Sequence, residues 1–346
     1  MAGILSCSAA ERNQMAPCGQ SGGDDLIATI GALLRQNPHP LSWMNAWLMS
    51  NGHVAARTRR FAQVDVFTQR AGYGNPVAVV FEADLLDTAT MQRIANWTNL
   101  SETAFVLAGR GGRADFRLRI FTPRQELPFA GHPTVGATHA VLEARPQLAE
   151  RHRLTLECAA GLLPVRIERN GGSPRIFVEA PTATFEPTAA SLAVDLVLGG
   201  ASLAHAAPRL VDVGARWLVV EYADAAAVRA MQPDFERITA LTTRERDVVG
   251  LCVFAREPEG DAAIVVRAFC PADGIPEDPV TGSANAAIAA FLRDNGGLAA
   301  IGPRYRASQG REVGRNGFVD VVVDEAAGTI AIGGDCVTCI NGTIAL

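Results

Sequence analysis

Two stretches of the chain share one pattern: a strand-like run, a polar turn that contains proline, and a helix built from small residues. The first stretch covers Phe116 to Arg145 and the second covers Ala263 to Asn295. The helical part of each is apolar on nearly every side, which predicts a helix buried in a core. The two lie about 150 residues apart, a typical domain length. We therefore predict two similar domains, each with a helix at its centre.

The turns that lead into these helices are predicted to form one binding site. Prolines interrupt regular helix, so we expect the helices to start after Pro133 and Pro279. Glycine and small polar residues fill both starts, and the backbone N–H groups of a helix start attract anions. If the two starts face each other across a cleft, they form one site for a carboxylate or phosphate.

Composition excludes several classes of function. The chain has 346 residues and a formal net charge of −5, and it has no basic stripe, which argues against nucleic acid as a partner. No apolar run is long enough to span a membrane. All 31 basic side chains are arginine. Without lysine there can be no Schiff base to pyridoxal phosphate and no P-loop lysine.

The seven cysteines show no spacing typical of a disulfide framework. An odd, scattered set predicts a reducing compartment, which we take to be the cytoplasm. Cys336 and Cys339 form a CxxC pair, but no second pair or histidine lies nearby in the sequence. We therefore predict buried thiols there and no metal site.

The remaining segments predict an α+β protein with short strands wrapped around one buried helix in each half. Residues 1–60 do not resemble the rest of the chain and are predicted to be a weakly packed or disordered extension. The first domain is predicted to comprise residues 61–181 and 330–346. The second comprises residues 182–329, after a crossover rich in proline and threonine.

Four polar residues lie at turns from which side chains can reach the predicted cleft: Glu102, His132, Asp278 and Ser283. Each also has an ordinary structural interpretation. Glu102 can be a solvated turn residue, His132 a structural hydrogen-bonding group, and Asp278 a turn or cap residue. Ser283 can simply belong to a first helical turn. Two helix starts that each carry such residues favour a shared catalytic site.

The chain also resembles a known family in several short motifs. These are GNPVAV at 74–79, LSET at 100–103, FAGHPTVGA at 129–137 and EDPVTGSA at 277–284, with SQG at 308–310 near the end. In their order and spacing they resemble the PhzF family of phenazine-biosynthesis-type isomerases. The resemblance covers residues 62–346.

The resemblance implies a diaminopimelate-epimerase-like fold, in which two halves each wrap a mixed, barrel-like sheet around a central helix. It implies that Glu102 is the general acid/base and that His132, Asp278 and Ser283 support it. It also implies a homodimer. Proton transfer by one carboxylate needs no cofactor, so we expect none.

The expected reaction moves a proton on a small carboxylic substrate, possibly one derived from an amino acid. Four residues at the helix starts are predicted to bind its carboxylate or enolate charge through their backbone: Gly131, Thr134, Gly282 and Ala284. The related two-thiol racemases have cysteines at these starts, and this chain has none there, although Cys270 lies nearby in the sequence. Two alternatives stay open. One is a racemase or epimerase of the same fold, and the other is a small-molecule-binding module without catalysis.

Overall fold

The computed structural model describes residues 57–169, 171–186, 204, 206–244 and 248–346. Contacts join Thr58–Leu346 into one compact unit. The predicted extension lies outside the described residues, apart from its last four. The first strand begins at Thr58, where it pairs with Ala345 of the last strand, so the sheet starts three residues earlier than the predicted boundary. The division between residues 181 and 182 stays a prediction.

Strands dominate the described part of the chain. They are β1 (Thr58–Val66), β2 (Asn75–Val80), β3 (Glu102–Leu107), β4 (Phe116–Phe121), β5 (Glu126–Leu127), β6 (Arg153–Cys158), β7 (Gly161–Glu168), β8 (Arg175–Glu179), β9 (Thr184–Glu186), β10 (Arg209–Asp212), β11 (Arg216–Tyr222), β12 (Val248–Arg256), β13 (Ile264–Cys270), β14 (Ile275–Asp278), β15 (Arg304–Gln309), β16 (Gly317–Asp324), β17 (Thr329–Gly334) and β18 (Cys336–Ala345).

The helices of the described residues are few. They are α1 (Thr88–Thr98), α2 (Gly131–Ala144), α3 (Ala225–Ala230), α4 (Phe235–Arg244), α5 (Gly282–Asp294) and α6 (Leu298–Ile301). None of the helices in this part of the chain is long and apolar enough to cross a membrane.

The strands form one mixed sheet that surrounds α2 and α5. Helix α2 contacts β1, β2, β3, β8, β17 and β18, whereas α5 contacts β10, β11, β16 and β17. The two parts of the sheet repeat the same pairing. In the first, β2–β3 is parallel, β3–β4 antiparallel and β4–β6 parallel. In the second, β11–β12, β12–β13 and β13–β15 follow the same order. The strand, turn and helix unit that repeats in the sequence is therefore repeated in the structure as well.

Small residues allow the two helices to lie inside the sheet. Every residue from His132 to Leu142 of α2 is buried, and α5 buries a run of alanines. A Cβ atom built on Gly136 would lie 2.5 Å from Val77 Cγ1 and 2.8 Å from Val66 Cγ2. Glycine is therefore needed where α2 touches β1 and β2.

Helix α2 begins before its proline, which differs from the expectation. It starts at Gly131, so Pro133 lies within the first turn. A first-turn residue has no N–H partner within the helix, so proline is tolerated there. Helix α5 begins at Gly282, after Pro279 as expected.

Helix α1 and the turn after it place Glu102. Asp87 caps α1 by accepting a hydrogen bond from the Thr90 backbone N–H at 2.7 Å. Asn99 ends the helix in the left-handed region with a φ of 54°, a conformation that asparagine tolerates better than most residues. The chain then turns into β3, whose first residue is Glu102.

Candidate active site

The N-terminal ends of α2 and α5 meet at the side chain of Ile332 on β17. A Cβ atom on Gly131 would lie 3.0 Å from Ile332 Cδ1, and one on Gly282 would lie 2.9 Å from the same atom. The Cβ atom built on Gly282 would also lie 3.6 Å from the backbone nitrogen of His132. Glycine at both starts therefore lets the two helix ends approach each other closely.

Neither of these helix ends has a side-chain cap. The residues before them, Ala130 and Thr281, make no capping hydrogen bond with their side chains. The N–H groups of a first helical turn have no acceptor within the helix and carry a partial positive charge. The two ends together therefore offer N–H donors to an acceptor group of a ligand.

Glu102 lies beside His132, with Oε2 3.3 Å from Nε2 of the imidazole. Neither atom has a hydrogen-bond partner among the described residues. Burial, followed by the negative charge of Asp278, raises the pKa of Glu102 to about 8, and the neighbouring Ser101 side chain opposes the shift. Glu102 is therefore mostly protonated at neutral pH in the unliganded protein.

His132 is held as a neutral imidazole. The Pro76 carbonyl accepts a hydrogen bond from its ring, but burial outweighs this contact and lowers the pKa of His132 to about 3. The ring nitrogen that donates to Pro76 carries the proton, so Nε2 is left as an acceptor toward Glu102. A protonated Glu102 and a neutral His132 are thus compatible neighbours.

Asp278 ends β14 with both carboxylate oxygens hydrogen-bonded. Asn75 Nδ2 donates to Oδ1 at 3.0 Å, and Thr281 Oγ1 donates to Oδ2 at 2.6 Å. Burial raises the pKa of Asp278, while these two hydrogen bonds act in the opposite direction. Asn75 also donates to the Val280 carbonyl at 2.9 Å and accepts from Ser101 at 3.3 Å. It therefore links the residue next to Glu102 with Asp278.

Gln309 fixes the turn that follows Asp278. Its Nε2 donates to the Asp278 carbonyl at 3.0 Å and to Thr281 Oγ1 at 2.8 Å. Its Oε1 accepts from the Thr281 backbone N–H at 3.0 Å and from Asn285 Nδ2 at 3.1 Å. Because Thr281 Oγ1 accepts from Gln309, its one hydrogen is directed to Asp278.

Ser283 lies in the first turn of α5 and is half-buried. Its Oγ accepts a hydrogen bond from Nε1 of Trp217 at 3.1 Å. Trp217 is on β11 and is buried. Ser283 is therefore connected to the strands around α5, whereas His132 is connected to β2 through Pro76.

The four predicted substrate-binding residues differ in what they can offer. Gly131 and Gly282 contribute backbone at the point where the helices meet. The Thr134 hydroxyl and backbone N–H both donate to the Ala130 carbonyl, at 2.7 and 3.3 Å, so Thr134 has no free donor for a ligand. Ala284 is fully buried. Gly131, Gly282 and Ala284 can therefore contribute main-chain groups, whereas Thr134 contributes shape alone.

Three residues of this region were given no role by the sequence analysis: Asn75, Gln309 and Trp217. The first two lie in the motifs of the family resemblance, and Asn75 precedes a proline, but their bonding partners are 24 or more residues away. No local pattern identifies Trp217, whose partner Ser283 is 66 residues further along the chain.

Thiols take little part in this region. Cys270 is buried, and burial together with Asp278, Asp273 and Glu102 raises its pKa well above the ordinary value. The cysteines at 158, 252, 270, 336 and 339 are all free. Cys336 is buried as expected, but Cys339 is exposed because the later part of β18 faces solvent. Within the described ranges, no cluster of three or more His, Cys, Asp or Glu could hold a metal ion.

Comparison with known proteins places the chain in a family. The family model for phenazine biosynthesis-like proteins (PhzC-PhzF) matches residues 64–342. Antisense-enhancing sequence 1 from Schizosaccharomyces pombe is 35% identical over 298 residues, which cover 82% of this chain and 97% of that protein. Trans-2,3-dihydro-3-hydroxyanthranilate isomerase from Pseudomonas chlororaphis is 34% identical over 288 residues, which cover 82% and 98%.

Solved structures agree with this assignment. The PhzF family phenazine biosynthesis protein of Bacillus anthracis matches with a TM-score of 0.71 and 27% identity, covering 84% of this chain and 100% of that one. A hydroxyproline epimerase from Agrobacterium vitis matches with a TM-score of 0.55 at 15% identity, covering 84% and 93%, and shares the fold alone. The predicted α+β, diaminopimelate-epimerase-like fold is therefore confirmed. The chain belongs to the phenazine biosynthesis-like (PhzC-PhzF) family of isomerases.

Proposed function

We propose that this isomerase moves a proton between two carbons of a small carboxylic substrate, without a cofactor, and that Glu102 carries the proton. The observation that supports this most strongly is the half-buried Glu102, whose Oε2 atom is buried, has no hydrogen-bond partner among the described residues, and lies 3.3 Å from Nε2 of a neutral His132. Such a group can release and accept a proton.

The raised pKa of Glu102 suits proton transfer at carbon. A carboxylate of ordinary pKa, about 4.3, is a weak base toward carbon acids. Burial and Asp278 raise the pKa of Glu102 to about 8, which brings it near the working pH, where general acid–base catalysis is most effective. The ionised form takes a proton from the substrate, and the protonated form returns it to another carbon.

The two helix ends are proposed to bind the charge of the substrate. The proposed donors are the first-turn N–H groups of α2 and α5, which begin at Gly131 and Gly282 and approach each other beside Ile332. Donors of this kind stabilise a carboxylate and the enolate charge that develops when a neighbouring C–H bond breaks. Asp278 is proposed to hold the amine or hydroxyl of the substrate, since both its oxygens are hydrogen-bond acceptors.

The name of one relative suggests the first substrate to test. That relative from Pseudomonas chlororaphis is an isomerase of trans-2,3-dihydro-3-hydroxyanthranilate. This compound has a carboxylate, an amine and a hydroxyl group on a ring with conjugated double bonds. We propose a substrate of this class, a small unsaturated amino carboxylate.

The test is turnover of trans-2,3-dihydro-3-hydroxyanthranilate, and of a panel of small amino carboxylates, by the full chain in D₂O. The expected product is a positional isomer, with deuterium at the new C–H bond or with the original proton retained by Glu102. Deuterium at a stereocentre without a change of position would instead show an epimerase. Binding without turnover of any compound would contradict the proposal and favour a binding module.

A further inference from the structure

The hydrogen bond between Trp217 and Ser283 has an unambiguous direction. An indole N–H can only donate, so Ser283 Oγ is the acceptor at 3.1 Å. The single hydrogen of the Ser283 hydroxyl is then directed away from Trp217. Trp217 thus occupies one of the two lone pairs of Ser283 Oγ and leaves its hydrogen free to be donated to a ligand.

The Ser283 hydrogen has no acceptor within the described part of the protein. Hydroxyl groups in helices often donate to the carbonyl four residues earlier. Thr134 and Thr138 of α2 do so, at 2.7 and 2.8 Å. Ser283 makes no such bond among the described residues, and it is half-buried at the start of α5. Its hydrogen is therefore available to a group bound there.

The position of the indole is fixed by close packing. Trp217 is 2% exposed. A Cβ atom on Gly250 of β12 would lie 2.9 Å from Trp217 Cζ3 and 2.2 Å from the Phe269 carbonyl oxygen. Glycine at this position leaves the space that the indole occupies.

We propose that Trp217 is a positioning residue that makes the Ser283 hydroxyl a hydrogen-bond donor to an acceptor-only group of the substrate, such as a carboxylate. With the first-turn N–H groups of α5, the Ser283 hydroxyl completes a set of donors at this helix end. The carboxylate of the substrate then lies at α5, and its reacting carbon lies toward Glu102. This inference rests on the proposed function, since it requires a substrate at the two helix ends.

The competing explanation is structural. A buried indole N–H needs an acceptor, and Ser283 could serve only that need. The two explanations differ in a double-mutant cycle, because a positioning role acts through Ser283 and a packing role does not.

The experiment measures anthranilate binding by calorimetry for the full chain and for Trp217→Phe, Ser283→Ala and the double variant. Trp217→Phe keeps an aromatic ring and removes the N–H. We expect it to weaken anthranilate binding about three- to tenfold, and to have almost no further effect in the Ser283→Ala background. Aniline, which lacks the carboxylate, should bind the wild type and Trp217→Phe equally. Trp97→Phe, at a tryptophan that is 75% exposed, is the matched control and should leave binding unchanged.

A spectroscopic signature accompanies the binding data. The indole N–H resonance of Trp217 is identified by its loss in Trp217→Phe, and anthranilate should shift it in the wild type. In Ser283→Ala it should lose protection from hydrogen exchange.

Three results would overturn the inference. If Trp217→Phe weakens anthranilate binding equally in the wild type and in Ser283→Ala, Trp217 acts by packing. If the wild type binds anthranilate and isomerises a substrate, but Ser283→Ala binds anthranilate as tightly as the wild type, this inference alone is refuted. A wild type that neither binds anthranilate nor isomerises any amino carboxylate would refute the proposed function and this inference together.

Discussion

His132 and Ser283 occupy the same position in the two buried helices: each is the second residue, directly after a glycine that packs against Ile332. Each is also held by a single hydrogen bond to the surrounding strands, His132 through the Pro76 carbonyl and Ser283 through Trp217. The repeated fold thus brings two different side chains to equivalent places. This difference gives the site an acceptor at α2 and a donor at α5.

The pH dependence of stability should reveal the raised pKa of Glu102. Its pKa is raised from 4.5 to about 8 in the folded protein, so the folded state binds more protons than the unfolded state between these values. Its contribution to stability is complete below pH 4.5 and is lost as the pH rises through 8. The Glu102→Gln variant has no carboxyl at this position, so it does not lose this stability as the pH rises. The free energy of unfolding of Glu102→Gln minus that of the wild type should therefore increase with pH across this range, as measured by urea denaturation.

The control for this measurement is Glu150→Gln, at an exposed carboxylate. The difference for Glu102→Gln should change with pH more than the difference for Glu150→Gln does. Equal pH dependence of the two differences would contradict a raised pKa of the Glu102 carboxyl.

The pH dependence of catalysis should follow Glu102 and not His132. If the ionised carboxylate starts the reaction, kcat/KM should rise with pH to a midpoint near the Glu102 pKa of about 8. His132, whose pKa is lowered to about 3, should add no limb between pH 5 and 9. A limb near pH 6.5 that disappears in His132→Gln would show that His132 titrates in the active protein.

Gln309→Leu should destabilise the protein by about 2–6 kcal/mol. The change removes the acceptor of the Thr281 backbone N–H and of Asn285 Nδ2, and each unsatisfied buried group costs about 1–3 kcal/mol. Urea denaturation of Gln309→Leu measures the loss. Gln125→Leu, at an exposed position, is the control, with an expected change within about 0.5 kcal/mol. Equal stability of the two variants would show that the Gln309 bonds contribute nothing.

Gly136→Ala tests the close contact between α2 and the sheet. Alanine favours a helix over glycine by about 1 kcal/mol, but its Cβ atom would lie 2.5 Å from Val77 Cγ1. Overpacking of this kind costs about 1–3 kcal/mol, so we expect a net loss of stability in thermal denaturation. Gly172→Ala, where nothing lies within 4 Å of the added atom, should be close to neutral. A stabilised Gly136→Ala would mean that the helix moves without strain.

Part of the fold could be predicted from the sequence because the two buried helices are marked by their small, apolar residues. The repeated turn and small-residue helix predicted both buried helices, and α5 starts after Pro279 as expected. The start of α2 was misplaced because proline is excluded from helix interiors but not from the first turn. The exposure of Cys339 could not be seen either, since it depends on which part of β18 faces solvent.

The site was predictable only as a set of chemical groups. Glu102 and His132 are 30 residues apart in the chain, and nothing local indicates that they lie 3.3 Å from each other. The role of Asn75 was missed for the same reason, because its partner Asp278 lies 203 residues further along the chain. Long-range contacts of this kind follow from the pairing of strands, which no short motif records.

The most direct test of the account is the turnover of Glu102→Gln on the substrate that the wild type isomerises. Glutamine keeps the size of the side chain and cannot carry the proton, so turnover should fall about 10²- to 10⁴-fold while anthranilate still binds. Glu126→Gln, at an exposed glutamate, should retain full activity. Full turnover by Glu102→Gln would contradict the assignment of Glu102 as the proton carrier.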